Sequence, residues 1–124
     1  MEINVKQKDL KATNIVYRLT LTSGNNIKYY IGRTNQTLQK RLYQHLNNKK
    51  SQVCKYLQNN TIDTIKVDIL ERNYFTQLLD LKETKILLRH LLKYGKKNSN
   101  LLNKDFKGLD KMSVKDMKIL DSII

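Results

Sequence analysis

Asn14-Ile15-Val16-Tyr17-Arg18-Leu19-Thr20-Leu21-Thr22-Ser23-Gly24-Asn25-Asn26-Ile27-Lys28-Tyr29-Tyr30-Ile31-Gly32-Arg33-Thr34 is the stretch on which the fold turns. Residues 14–22 and 27–34 are rich in β-branched and aromatic residues, and Ser23-Gly24-Asn25-Asn26 between them is strong turn chemistry, so the segment reads as a β-hairpin. Pairing Thr22 with Ile27, or Ser23 with Asn26, gives the same register, with Tyr17 opposite Gly32 and Leu19 opposite Tyr30. Side chains alternate faces along a strand, which puts Tyr17 and Tyr30 on one face as diagonal neighbours about 7 Å apart. Gly32, lacking a side chain, is expected to leave open space opposite the Tyr17 phenol where a ligand can approach. The expected result is a shallow pocket floored by two hydroxyls.

Working outward, Thr37 to Asn48 carries Leu38, Leu42 and Leu46 among polar residues, the pattern of an amphipathic helix with Thr34 or Asn35 as its cap. Arg41 and His45 are four apart and share one helical face beside the apolar stripe. Residues 51–59 suggest a short helix. Thr64 to Glu71 alternates apolar and polar as a half-buried strand does, supplying a third strand. Residues 76–94 form a leucine-rich helix, with a break expected near Leu81 and Gly95 as its C-cap. Beyond Gly108, residues 113–123 are amphipathic from Ser113 onward. That last helix is free to pack on the domain, to pair with a protein partner or second copy, or to touch substrate. The expectation is an α+β fold: a small three-stranded antiparallel sheet flanked by helices, with an N-terminal segment at 1–11, a domain at 12–105 and a helical extension at 106–124.

With 24 Lys and Arg against 11 Asp and Glu the chain is formally +13 in 124 residues, a field that favours a polyanion. Nucleic acid is the leading partner, and no apolar run approaches the roughly 18 residues of a membrane span. The start, Met1-Glu2-Ile3-Asn4-Val5-Lys6, lacks a leader pattern. The single cysteine, Cys54, excludes an internal disulfide and a zinc cluster. The expected setting is intracellular and reducing (cytoplasm, nucleus or viral factory), without secretion.

The order Ile15-Val16-Tyr17, a hairpin, Tyr30-Ile31-Gly32, then Arg41 with His45 four later and a downstream glutamate resembles the GIY-YIG nuclease family. The matching glutamate is Glu83, in Leu81-Lys82-Glu83-Thr84, and the family's closing asparagine falls at Asn103. Ile15 stands where the family usually has glycine. The resemblance spans roughly residues 12–105 and implies an endonuclease that hydrolyses DNA phosphodiesters, of homing, phage, mobile-element or repair kind. Branched and single-stranded DNA are among the substrates it admits. An inactive, nucleic-acid-binding member of a larger assembly is the alternative, and a basic accessory protein the third.

On the resemblance, Glu83 holds one Mg²⁺ or Mn²⁺ ion, which suits one carboxylate plus waters and phosphate oxygens. Tyr17 acts as, or orients, the general base, with a nearby cation needed to stabilise its phenolate. Arg41 supplies that charge and neutralises the transition state. Tyr30 bonds the phosphate or water, His45 relays a proton or positions Tyr17, and Asn103 braces the metal end. Gly32, Arg33, Lys40, Lys49, Lys50, Lys96 and Lys97 are the expected nucleic-acid contacts. His90 is assigned to surface or core, and Asp80 to a helix-start charge.

Overall fold

The computed structural model describes Met1–Ile124. Strands β1 (Glu2–Asn4), β2 (Ile15–Ser23), β3 (Asn26–Thr34) and β4 (Thr64–Arg72) build one sheet in the order β1-β4-β2-β3. Helices α1 (Leu38–Asn47) and α2 (Gln52–Asn59) lie between β3 and β4, α3 (Thr76–Tyr94) follows β4, and α4 (Val114–Ile123) closes the chain. No helix is long and apolar enough to cross a membrane.

The hairpin has the register its sequence dictates: Tyr17 opposite Gly32, Leu19 opposite Tyr30, Ser23 opposite Asn26. Gly24 turns the chain at φ 58°, a conformation that costs a glycine nothing and strains other residues. β2 is the sheet's centre, antiparallel to β3 on one side and to β4 on the other. A bulge lies at the Val16/Tyr17 step, where Val16 pairs with Glu71 and Tyr17 with Ile69. It shifts the neighbouring strand by one residue beside the buried tyrosine.

The sheet has four strands and is mixed, in place of the three antiparallel strands expected. β1 runs parallel to β4, pairing Glu2 with Thr64 and Asn4 with Lys66. Its three side chains are all exposed, so it leaves no hydrophobic period to read; it is held through backbone groups, such as the Glu2 N–H donating to Asp63 O at 2.9 Å.

The two sheet faces carry two cores. Ile15, Tyr17, Leu19, Leu21, Ile65 and Val67 pack with Leu38, Leu42 and Val53 of α1 and α2. On the other face Val16 and Ile31 pack with Leu79, Leu87, Leu88 and Leu91 of α3, and with Met117 of α4. Strand β2 alternates cleanly between the two, Ile15 and Tyr17 one way and Val16 the other. Each Leu or Ile buried this way contributes about 1.5–3 kcal/mol relative to an exposed one.

Two local details differ from expectation, and α4 takes the first of its open alternatives. The cap of α1 is Thr37, whose hydroxyl accepts from Lys40 N at 3.2 Å; Thr34 bonds Gln36 N and ends the strand. Helix α3 runs unbroken through Leu81, because Leu79, Leu87, Leu88 and Leu91 keep one continuous stripe on the sheet while Leu81 faces solvent. Helix α4 packs on α3: Met117 is buried, Arg89 Nε lies 3.2 Å from Asp121 Oδ1, and Lys85 donates to Ile124 O at 3.0 Å.

Candidate active site

Strand β3 is the last strand of the sheet, with α1 over one face and α3 over the other, and its outer edge is covered at Tyr29 by backbone bonds to Asn100 and Leu102. Between them opens a cleft of about 500 Å³ lined by Tyr30, Gly32, Arg33, Arg41, Glu83 and Lys107, among others. Residues from three separate elements meet there because the edge strand is the line at which both helices can be reached.

Under the cleft lies a chain of hydrogen bonds. Arg41 Nε donates to Tyr17 Oη at 3.2 Å, and Tyr17 Oη is 2.6 Å from His45 Nε2. His45 Nδ1 is 3.2 Å from Ser51 Oγ, the hydroxyl that caps α2. A guanidinium only donates, so the Tyr17 hydroxyl spends its hydrogen on His45, which fixes the Nδ1–H tautomer donating to Ser51. Tyr17 and His45 are both buried, with 0% and 2% of their surface exposed. Burial holds the imidazole neutral, with Arg41 reinforcing it, and its pKa falls from 6.5 to about 3. Burial likewise pushes the Tyr17 phenol well above its ordinary value of 10.0, helped by Tyr30; Arg41 pulls the other way without reversing it. Tyr30 is raised by burial too, and eased by Arg41.

The expected pairing of Tyr17 with Tyr30 on one face is present, their ring centroids 6.4 Å apart. The expected open space at Gly32 is not. A Cβ there would lie 2.7 Å from Tyr17 Oη, 2.8 Å from Tyr30 Cε1 and 2.9 Å from Tyr17 Cζ, so the vacancy is filled by the two phenols. Gly32 is the position that admits the tyrosines, and Tyr17 is sealed beneath the cleft while Tyr30 forms its wall. Ile15, the departure from the motif glycine, is fully buried in the core under α1 and stays out of the cleft.

Glu83 sits in the third turn of α3, well inside the helix. Its Oε1 lies 3.0 Å from Lys107 Nζ and 3.7 Å from Arg33 Nε. Asp80, one turn earlier on the same face, pairs with the same two cations: Arg33 Nε at 3.2 Å, and Lys107 in a close ion pair. The hydrogen bond from Lys107, with Arg33 adding its charge, holds the Asp80 carboxyl below its usual range. Asp80 therefore belongs to the same ion-pair group as Glu83, and is more than a helix-start charge. Asp105 lines the same cleft.

Asn103 does something specific to the edge strand. Its side chain accepts from Ile31 N at 3.0 Å and donates to Ile31 O at 2.6 Å, so it substitutes for a fifth strand at that residue. It braces β3 and leaves the carboxylate to Lys107 and Arg33. Arg33 lines the cleft with its guanidinium paired to acids. Lys40 is exposed on α1, and Lys49 and Lys50 are exposed in the α1–α2 turn. Lys96 and Lys97 follow Gly95, at the far end of α3 and about 18 Å of helix rise beyond Glu83. These five lysines are outside the cleft. His90 is buried and its Nε2 lies 2.7 Å from Ser99 O, a core role.

Lys107, Asp105 and Ser51 are the participants without a motif. Ser51 was legible as a helix cap three residues before Cys54. Nothing local marks Lys107, which comes to Glu83 from 24 residues away in sequence (107 against 83).

A model of the GIY-YIG catalytic domain matches residues 13–98, more than two thirds of the chain. The chain belongs to the GIY-YIG family. A GIY-YIG domain is in general a nuclease domain acting on DNA, and such nucleases typically depend on a divalent metal ion. No curated protein and no solved structure matches the chain. The four side chains of the GIY-YIG motifs, Tyr17, Tyr30, Arg41 and His45, form one contact group at the cleft, and Glu83 faces them across the β3 edge.

Proposed function

We propose that the chain is a metal-dependent endonuclease that hydrolyses DNA phosphodiester bonds in the cleft between α1 and α3. The observation that carries this is the convergence of the Glu83 carboxylate, the Arg41 guanidinium and the cleft-facing Tyr30 phenol on a single opening, with a buried Tyr17–His45 pair supporting Arg41 from below. No cluster of three or more His, Cys, Asp or Glu side chains is present, which does not suit a site built of many acids. The donor set fits a single hard cation instead: Glu83 at the cleft wall, with water and phosphate oxygens to complete the coordination. Glu83 is the residue that would hold Mg²⁺ or Mn²⁺, and the bound ion would polarise the phosphate and stabilise the leaving oxygen.

Arg41 reaches from α1 to the cleft, where its guanidinium binds a phosphate oxygen and neutralises charge that grows in the transition state. Its Nε is anchored on Tyr17 and its Nη1 on Gln44 Oε1, so its Nη2 presents a fixed direction to the substrate. Tyr30, on the wall, donates its hydroxyl to the phosphate or aligns the attacking water. Tyr17 acts through Arg41 and His45 as the orienting group. Its raised pKa and full burial make it a poor direct base, and its hydroxyl hydrogen stays shared with the neutral His45 Nε2. The excess of 13 positive charges draws the polyanion to the cleft and lets phosphate contacts dominate affinity.

Purified protein incubated with supercoiled plasmid and with branched DNA tests this, with Mg²⁺ or with EDTA. Nicking or linearisation that needs the ion is expected. Glu83→Ala should lower the cleavage rate by orders of magnitude while DNA binding persists or tightens, since a negative charge is lost and no phosphate contact is removed. Wild-type protein that binds DNA yet leaves every form intact with Mg²⁺ and Mn²⁺ would replace the enzyme with a binding subunit.

A further inference from the structure

Lys107 lies outside every motif of the chain, yet it is the cation closest to Glu83. Its Nζ stands 3.0 Å from Glu83 Oε1 and also pairs with Asp80 Oδ1, while Arg33 Nε approaches the same two oxygens at 3.7 and 3.2 Å. Two cations and two carboxylates thus form a closed, neutral group at the wall where the ion would bind.

The loop that delivers Lys107 is anchored on both sides. Asn103 is tied to the β3 edge through Ile31, and Leu109 is buried in the core. Between them Lys107 N donates to Asp105 Oδ1 at 2.8 Å, and the lysine adopts φ 55°, a left-handed conformation that a side-chain-bearing residue reaches only at a cost of about 1–2 kcal/mol. Its side chain is 22% exposed. A freely solvated lysine has neither the backbone constraint nor the two carboxylates. The four-carbon stem remains flexible, so the ammonium can leave its partners without the backbone moving.

On the nuclease reading above, we propose that Lys107 is a tethered counter-ion which occupies Glu83 in the free protein, holds a divalent ion off it, and moves to a phosphate oxygen when DNA enters. A divalent ion on Glu83 Oε1 would meet the ammonium at ion-pair distance, and like charges so close repel strongly. In the free protein Lys107 and Arg33 already balance Asp80 and Glu83, leaving the site little pull on an added cation. An incoming phosphodiester adds a negative charge beside the group, offers Lys107 a new partner in place of Glu83 and frees that carboxylate. Metal and DNA then bind cooperatively, each raising the affinity for the other by the same factor. Lys107 is in this sense a positioning residue: it acts through Glu83.

The test is Mn²⁺ binding to the full chain, read by the electron paramagnetic resonance of the free ion, with and without a phosphorothioate duplex that resists cleavage. Wild type, Lys107→Met, Lys107→Arg and Glu83→Gln are compared. Methionine keeps the length and the backbone strain and deletes the charge; should it impair folding, Lys107→Gln takes its place. Without DNA, Lys107→Met should bind Mn²⁺ on the order of tenfold more tightly than wild type, and Lys107→Arg should match wild type. Glu83→Gln should bind poorly throughout. The duplex should tighten Mn²⁺ binding to wild type and change Lys107→Met little. A purely structural lysine would shift the melting temperature and leave Mn²⁺ affinity alone. Equal DNA-free affinities for wild type and Lys107→Met, in a protein that still cleaves plasmid, overturn this inference and spare the nuclease. Absence of any Glu83-dependent Mn²⁺ binding together with absence of cleavage overturns both.

Discussion

Gly32→Ala isolates the packing logic of the site, because the new methyl group has no room and the atoms it meets are the functional ones. Its Cβ would be 2.7 Å from Tyr17 Oη, 2.9 Å from Tyr17 Cζ and 2.8 Å from Tyr30 Cε1, distances at which something must move. Tyr17 has no exposed surface and is held by His45 at 2.6 Å and Arg41 at 3.2 Å, so it yields only by breaking those bonds. Tyr30 has more freedom but forms the cleft wall. Overpacking of this kind costs about 1–3 kcal/mol. For a chain of 124 residues, a loss of that size lowers the melting temperature by roughly 4–12 °C. Thermal unfolding followed by circular dichroism measures the shift, and plasmid cleavage at a temperature where the variant is folded measures what displacing the phenols does to the rate. A double-mutant cycle sharpens it. Tyr17→Phe removes the nearest clashing atom, so Gly32→Ala should cost less in that background, by about 0.5–1 kcal/mol. Additive penalties, or a melting temperature for Gly32→Ala within about 1 °C of wild type, would show that the glycine is not there to admit the tyrosine.

Tyr17→Phe alone should both slow cleavage and destabilise the fold by about 1–3 kcal/mol, since it leaves the buried His45 Nε2 without its donor; chemical denaturation reads the second effect. Arg41→Ala should reduce cleavage and DNA affinity together, as seen by single-turnover rates and fluorescence anisotropy, because one guanidinium serves both. His45 has its pKa lowered in the folded state from 6.5 to about 3, so between those values the unfolded chain takes up a proton that the folded one does not. Stability contributed by the neutral imidazole is complete above pH 6.5 and is lost as pH falls towards 3, at no more than about 1.4 kcal/mol per pH unit. His90, also lowered by burial, steepens the same slope, and His45→Gln should flatten it by about one proton in a series of melts from pH 7 to 4. DNA affinity should fall steeply with salt and depend little on sequence; a log–log slope near zero would remove phosphate contacts as its source.

Pattern alone reached the hairpin register, the two ends of helix α3 and the Ser113 start of α4, because each is written in local spacing: period two in β2 and β3, period near four in α3, a cap before α4. Tyr17, Tyr30, Arg41 and His45 were legible as a set for a related reason, since the hairpin and the helix phase constrain them before any packing is known; Glu83 came from the family resemblance alone. Their states were not. Whether Tyr17 is a cleft hydroxyl or a sealed one depends on how far α1 leans over the sheet, and His45 turns from a flank residue into a buried acceptor by the same lean.

The parallel strand β1 escaped notice because a three-residue edge strand bonded through its backbone writes nothing in its side chains. Lys107 and Asn103 are beyond local reading in another way. Each acts on a residue far off in sequence, Glu83 for one and Ile31 for the other, and such pairs form only when the chain after α3 folds back along the open edge of β3. Residue types and their spacing determined the elements and the chemistry on offer. The three-dimensional closure of the β3 edge decided which of those groups touch, which are dry, and which cation stands on the carboxylate.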